Sequence, residues 1–180
     1  MRRAAEKDFQ FSCEPLVGQM LAMLAAAAPR NARILELGTG AGVGTAWLAH
    51  GVDGRPDVRI VTVEQASHLA EAVAGYRWPR SVEFRVGDAE ALLPELGTFD
   101  LVFADAEGGK WSGLELTVRS LRLGGVLVVD DMDLDRYPDP AHKAHVTGVR
   151  QALCTDRRLL AVELAVGSGV IVASRATRSD

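Results

Sequence analysis

The sequence predicts a doubly wound α/β sandwich, and three observations carry that prediction. Apolar runs alternate with amphipathic segments along the chain, the pattern of strands joined by covering helices. Several runs, such as Val126-Leu-Val-Val129, are apolar at successive positions, as expected of strands covered on both faces of a parallel sheet. The stretch "ILELGTGAGVGTAWLAHG", Ile34 to Gly51, opens on a short apolar run, crosses a glycine cluster and becomes helix-like. In such sheets ligands bind beyond the carboxyl ends of the strands, near the switch point.

In chain order, a helix over Pro15 to Ala28 precedes the first strand. Strands are expected at Ile34 to Leu37, Arg59 to Val63, Val82 to Val86, Phe99 to Ala104, Gly125 to Val129, Leu159 to Leu164 and Val170 to Ala173. Between them Val43, Ala46, Trp47 and His50 share one helical face, as do Leu69, Val73 and Tyr76. Asp88 reads as the N-cap of a helix from Ala89, and Asp139 followed by Pro140 as the start of another. His142 falls on the face of that last helix with Val146, Val149 and Leu153. Met1 to Lys7 and Thr177 to Asp180 are expected to fray; no repeat or linker interrupts the rest, so residues 1–180 read as one domain.

Composition narrows the function. At 180 residues, 48% hydrophobic and 24% charged, the chain is long enough for one sizeable core. A net charge of −4, with basic residues scattered except for Arg2 and Arg3, leaves no stripe for a phosphate backbone and argues against nucleic acid. Cys13 and Cys154 match no zinc or redox spacing and no signal peptide precedes them, which fits a reducing cytoplasm. The most apolar helical stretch, Pro15 to Pro29, is broken by Gly18 and Gln19 and falls short of the ~20 residues that span a bilayer.

The strand ends carry the chemistry. Gly38, Gly40 and Gly42 depart from the dinucleotide spacing G-x-G-x-x-G, since Val43 stands where the third glycine belongs. Glu36, two residues before the first glycine, would repel a pyrophosphate but suits a ligand with a cationic part. Glu64 ends the second strand, placed to accept both hydroxyls of a ribose. After the third strand Asp88 suits an exocyclic amine, a role that coexists with capping.

These corners, "ELGTGAG", "VTVEQ" and "VGDAE", resemble the class I S-adenosylmethionine-dependent methyltransferases over most of the chain, Phe11 to Ser174. The resemblance implies a Rossmann-like, seven-stranded, mostly parallel sheet of order 3-2-1-4-5-7-6 with an N-terminal cap helix at about residues 11–30. It gives the methionine part of the cofactor to the glycine loop, the ribose to Glu64 with Gln65, and the adenine to Asp88 with Ala89; Asp105 also borders the cofactor. A sulfonium with an α-amino group is cationic, so Glu36 is an asset.

Asp105 ends the fourth strand, and Asp130 and Asp131 end the fifth. Three carboxylates on one rim raise one another's pKa unless a divalent cation sits among them, and oxygen-only ligands suit Mg²⁺, Mn²⁺ or Ca²⁺. The arrangement looks like the metal-dependent catechol and caffeoyl-CoA O-methyltransferases, with Asp105 and Asp130 at the two aspartate positions and Asp131 where that family has Asn. By that resemblance Mg²⁺ would bind both oxygens of a catechol-like diol and lower the pKa of the attacking hydroxyl.

There are departures. The family's base, a lysine three residues after the first metal Asp, is Gly108 here; Lys110 and His142 are the candidates to replace it. The family's "GYS" is also missing, leaving Thr45 or backbone amides to hold the cofactor carboxylate. The expected function is O-methyl transfer to a small hydroxylated aromatic, assisted by Mg²⁺, in a protein that relatives suggest is a homodimer. The alternatives are a metal-independent methyltransferase and a non-catalytic cofactor-binding protein. Glu36 and the glycine spacing disfavour a nicotinamide oxidoreductase, and Ala106-Glu107 after Asp105 disfavours methylation of DNA bases.

Overall fold

The computed structural model describes residues 13–176; Phe11, Ser12 and the termini expected to fray lie outside them. Helix α1 (Pro15–Ala27) precedes β1 (Arg33–Leu37), α2 (Val43–Gly51), β2 (Arg59–Glu64), α3 (Ser67–Ala74), β3 (Val82–Val86), α4 (Ala89–Leu96) and β4 (Phe99–Ala104). Then follow α5 (Leu114–Arg119), β5 (Leu121–Val129), α6 (Pro140–Thr155), β6 (Leu159–Leu164) and β7 (Val170–Arg175). One seven-stranded sheet runs β3-β2-β1-β4-β5-β7-β6, as expected. Its pairs are parallel except for those of β7, which lies antiparallel to both β5 and β6.

Alternation along the strands builds two apolar layers. Leu35, Leu37, Val102 and Leu127 face α4, α5 and α6 through Leu93, Val118, Val146, Val149 and Leu153. Ile34, Ile60, Phe103 and Val128 face the other way, against Val17 and Leu21 of α1 and Leu48 of α2. Both surfaces of the central strands are therefore dry, and each large side chain fully buried there contributes roughly 1.5–3 kcal/mol. The crossing of α1 over α2 depends on small residues: a Cβ on Gly18 would lie 2.1 Å from Trp47 Nε1, and one on Gly51 2.2 Å from the Ala22 carbonyl oxygen.

Local signals placed the helix starts. Pro15 opens α1, Asp88 accepts a hydrogen bond from Ala91 N at 3.0 Å, and Asp139 accepts one from His142 N at 3.0 Å. Two expectations need correction. Strand β5 begins at Leu121 and not at Gly125, because Gly124-Gly125, which reads as a turn, is absorbed into a bulge where the register shifts from Phe99↔Leu121 to Leu101↔Val126. The inner face of α2 is Val43, Gly44, Thr45, Leu48 and Ala49, with His50 exposed, because Glu36 and Phe103 pack directly beneath Gly44. Among the described residues no helix is long and apolar enough to cross a membrane.

Candidate active site

A cavity of about 610 Å³ opens at the carboxyl ends of β1, β2, β4 and β5. Its floor is the glycine loop. Gly38, at φ +99°, passes so close to the end of β4 that a Cβ there would lie 2.5 Å from the Asp105 carbonyl oxygen, so only glycine makes this turn. Gly38 N then reaches Val63 O at 2.9 Å, and Gly40 N reaches Glu64 Oε2 at 2.9 Å. Glu64 also accepts from Ala66 N at 3.0 Å, so one carboxylate ties the glycine loop to the turn after β2 while bordering the cavity beside Gln65.

Glu36 is the buried acid of the site, 1% exposed. Its Oε2 accepts hydrogen bonds from the hydroxyls of Thr45 and Thr62, the latter at 2.6 Å; its Oε1, also buried, has no partner in the protein. Burial pushes its carboxyl up to about 7, against the two hydroxyls, which favour the charged form. A buried carboxylate oxygen without a protein partner, on a residue that lines the cavity, fits a cationic ligand group.

Thr45 corrects the sequence reading. It is fully buried and does not border the cavity, because the α2 face it lies on packs against the sheet and its hydroxyl is donated to Glu36. It supports the acid instead of meeting a ligand carboxylate. Thr62, which donates to the same oxygen, was not expected; a single hydroxyl between the apolar Ile60-Val61 and Val63 was its signal.

Asp88 and Ala89 border the cavity where β3 gives way to α4, with one Asp88 oxygen spent on the cap. A Cβ on Gly108 would lie 3.4 Å from Ala89 Cβ and 3.8 Å from Asp88 Oδ2. Position 108 thus faces the Asp88–Ala89 side of the cavity.

The acids themselves do converge. One oxygen from each of Asp105, Asp130 and Asp131 lies within 4.8 Å of the others. Lys110 joins them although it stands five residues past Asp105. The loop turns back through Trp111 N to Glu107 O at 2.8 Å and Gly109 N to Ser112 O at 2.7 Å, and Thr117 Oγ1 holds the Gly109 carbonyl at 2.7 Å. Lys110 ends 2% exposed, with Nζ 2.9 Å from Asp131 Oδ2 and 3.6 Å from Asp105 Oδ1.

Burial disfavours the Asp131 carboxylate, but the Lys110 ammonium and the Tyr137 hydroxyl, 2.6 Å away, outweigh it and hold the group below the usual range. One ammonium does not balance three carboxylates. Burial raises Asp105 well above its ordinary value, with Asp130 and Asp131 adding to the shift against Lys110, and burial together with Asp131 raises Asp130 to about 6.

His142 reaches the same rim from α6. Its Nε2 lies 2.9 Å from the Asp131 carbonyl oxygen; a carbonyl only accepts, so Nε2 carries the hydrogen. The ring packs against Tyr137 at 4.3 Å and Trp111 at 5.3 Å between centroids. Ser168, from the turn between β6 and β7, donates to Asp130 and also went unforeseen; the Gly-Ser-Gly between two strands was its only signal.

Comparison with known proteins agrees with this geometry. Residues 35–132 match the family described as a methyltransferase domain. A Mycobacterium ulcerans protein whose name proposes O-methyltransferase activity is 36% identical over 173 residues, an alignment covering 89% of this chain and 76% of that one. The O-methyltransferase TomG of Streptomyces achromogenes, involved in tomaymycin synthesis and solved with S-adenosylmethionine, superposes with a TM-score of 0.82 at 28% identity, covering 98% of this chain and 87% of TomG. A Bacillus cereus O-methyltransferase bound to S-adenosylhomocysteine gives 0.78 at 26%, covering 97% and 87%. The glycine corner, the paired acids at the ends of β1 and β2 and these relatives lead to one assignment: the chain belongs to the class I S-adenosylmethionine-dependent O-methyltransferases.

Proposed function

We propose that the protein methylates a hydroxyl of a small hydroxylated aromatic and does so with a divalent cation held by Asp105, Asp130 and Asp131. The observation that carries this reading is the excess of acid at the rim: three converging carboxylates, two of them with raised pKa, against the single ammonium of Lys110. The donor set is all oxygen, which fits Mg²⁺ or Mn²⁺. When bound, the cation supplies Lewis acidity to a coordinated hydroxyl and the sulfonium supplies the methyl group.

The chain's own residues do the rest. Glu36, which lines the cavity and leaves Oε1 without a protein partner, is the acceptor for the cofactor's α-ammonium, with Gly38 and Gly40 shaping the loop beneath it. Glu64 and Gln65 take the ribose, and the free oxygen of Asp88, beside Ala89, takes the adenine amine. Lys110 Nζ is the proton-handling atom, since it lies among the acids of the rim, 2.9 Å from Asp131 Oδ2 and 3.6 Å from Asp105 Oδ1. His142, Trp111 and Tyr137 form a ring-lined wall that suits a planar acceptor. Holding acceptor oxygen and methyl in line is then the main catalytic contribution. Metal-independent transfer is the second reading, favoured by the place Lys110 itself takes among the acids.

Calorimetric titration of S-adenosylmethionine, then of catechol with and without Mg²⁺, separates these readings in the wild type and in Asp105→Ala/Asp130→Ala. Catechol that binds only with both metal and aspartates supports the first. Binding indifferent to metal moves the assignment to the second.

A further inference from the structure

We propose that Ser168 is a positioning residue for cation capture, fixing the Asp130 carboxylate so that one of its oxygens is presented to Asp105 and Asp131. The inference rests on the metal-assisted reading above. Ser168 is 3% exposed and lies in the turn between β6 and β7, far in sequence from every acid of the rim. Its hydroxyl donates to Asp130 Oδ1, and the Asp131 backbone N–H donates to the same oxygen at 2.8 Å. Two donors on Oδ1, one from the next residue of the chain and one from the turn between β6 and β7, hold that oxygen and leave Oδ2 as the atom to serve the cavity.

The turn is built to bring that hydroxyl in. Met132 N reaches Gly169 O at 3.0 Å and Asp133 N reaches Ser168 O at 3.0 Å, so the turn is stitched to the segment just past the metal acids. Gly169, at φ +77°, has no room for a side chain: a Cβ would lie 2.5 Å from Asp133 N. Gly167 packs against Glu14 and Val17 of the cap segment, and its carbonyl accepts from Arg136 at 3.5 Å. A serine so held keeps its hydroxyl on Asp130 at the edge of the cavity. Groups that orient a metal's ligands typically change metal affinity 10–100-fold when removed.

The experiment measures Mn²⁺ affinity by the free-ion electron paramagnetic resonance signal, with S-adenosylmethionine affinity and urea stability measured alongside, in wild type, Ser168→Ala and Ser168→Thr. The expected result is Mn²⁺ binding weakened about 10-fold or more in Ser168→Ala, an unchanged cofactor affinity, and recovery in Ser168→Thr, which restores the hydroxyl. Ser168→Ala that binds Mn²⁺ as the wild type does overturns this inference alone. Loss of metal and cofactor binding together, with no recovery in Ser168→Thr, shows a residue that merely packs the turn and also overturns it. A wild type that takes up no Mn²⁺ overturns both this inference and the metal-assisted reading.

Discussion

Lys110 places its ammonium 2.9 Å from the Asp131 carboxylate, joining the loop after β4 to the loop after β5. The ion pair lies at the buried edge of the cavity, where its partner Asp105 is also within 3.6 Å. The lysine is thereby committed to the acidic rim although the family's lysine position is a glycine.

If Lys110 handles the acceptor proton, Lys110→Met lowers the single-turnover methyl-transfer rate by about 10²–10⁴-fold. Cofactor affinity stays close to that of the wild type, because Lys110 contacts the acids and not the glycine loop. Rapid-quench kinetics beside calorimetry checks both. A rate within a few-fold of wild type removes Lys110 from the chemistry.

Glu36 makes apo stability depend on pH. Its carboxyl rises from 4.5 to about 7 in the fold, so its contribution is full below about pH 4.5 and is lost as pH rises through about 7. The loss is about 3 kcal/mol by the conversion of pKa shift to free energy. A cationic cofactor group at Oε1 favours the charged form, so stabilisation by S-adenosylmethionine grows across the same window. Glu36→Gln is expected to flatten both slopes, to raise apo stability near pH 8 and to weaken cofactor binding. Denaturant melts across that range, with and without cofactor, give the slopes, and an unchanged slope in Glu36→Gln is the contrary result.

Asp88 has two separable tasks. Asp88→Ala removes the α4 cap and costs about 0.5–2 kcal/mol, whereas Asp88→Ser keeps a capping hydroxyl. Both lose the carboxylate oxygen assigned to the adenine amine. Urea stability is thus expected to fall only in Asp88→Ala, and cofactor affinity to fall in both. Cofactor affinity unaffected in Asp88→Ser leaves capping as the residue's sole role.

Gly51→Ala sets a favourable local effect against a steric one. Alanine in place of glycine gains up to about 1 kcal/mol of helix propensity. The added Cβ, however, falls 2.2 Å from the Ala22 carbonyl oxygen, which is backbone and cannot swing aside. Overpacking of that kind costs about 1–3 kcal/mol, so net destabilisation is expected in urea melts. A stabilised variant would mean that α1 moves readily over α2.

Much of this protein is legible along the chain because its signals are local. The successive apolar residues of β1, β4 and β5 announce a sheet covered on both sides, and the corners at Glu36, Glu64 and Asp88 fall at strand ends that hydrophobic periodicity alone locates. The caps at Asp88 and Asp139 need only the next three residues to be recognised. Tertiary structure decided what lies between distant segments. It turned Lys110 back to the acids, gave Thr45 and Thr62 to Glu36, tied His142 Nε2 to the Asp131 carbonyl and brought Ser168 across to Asp130. Whether such a polar side chain meets solvent, a ligand or another side chain depends on how loops from different strands close over one cavity. That closure follows from the packing of both apolar layers at once, which no local window of sequence contains.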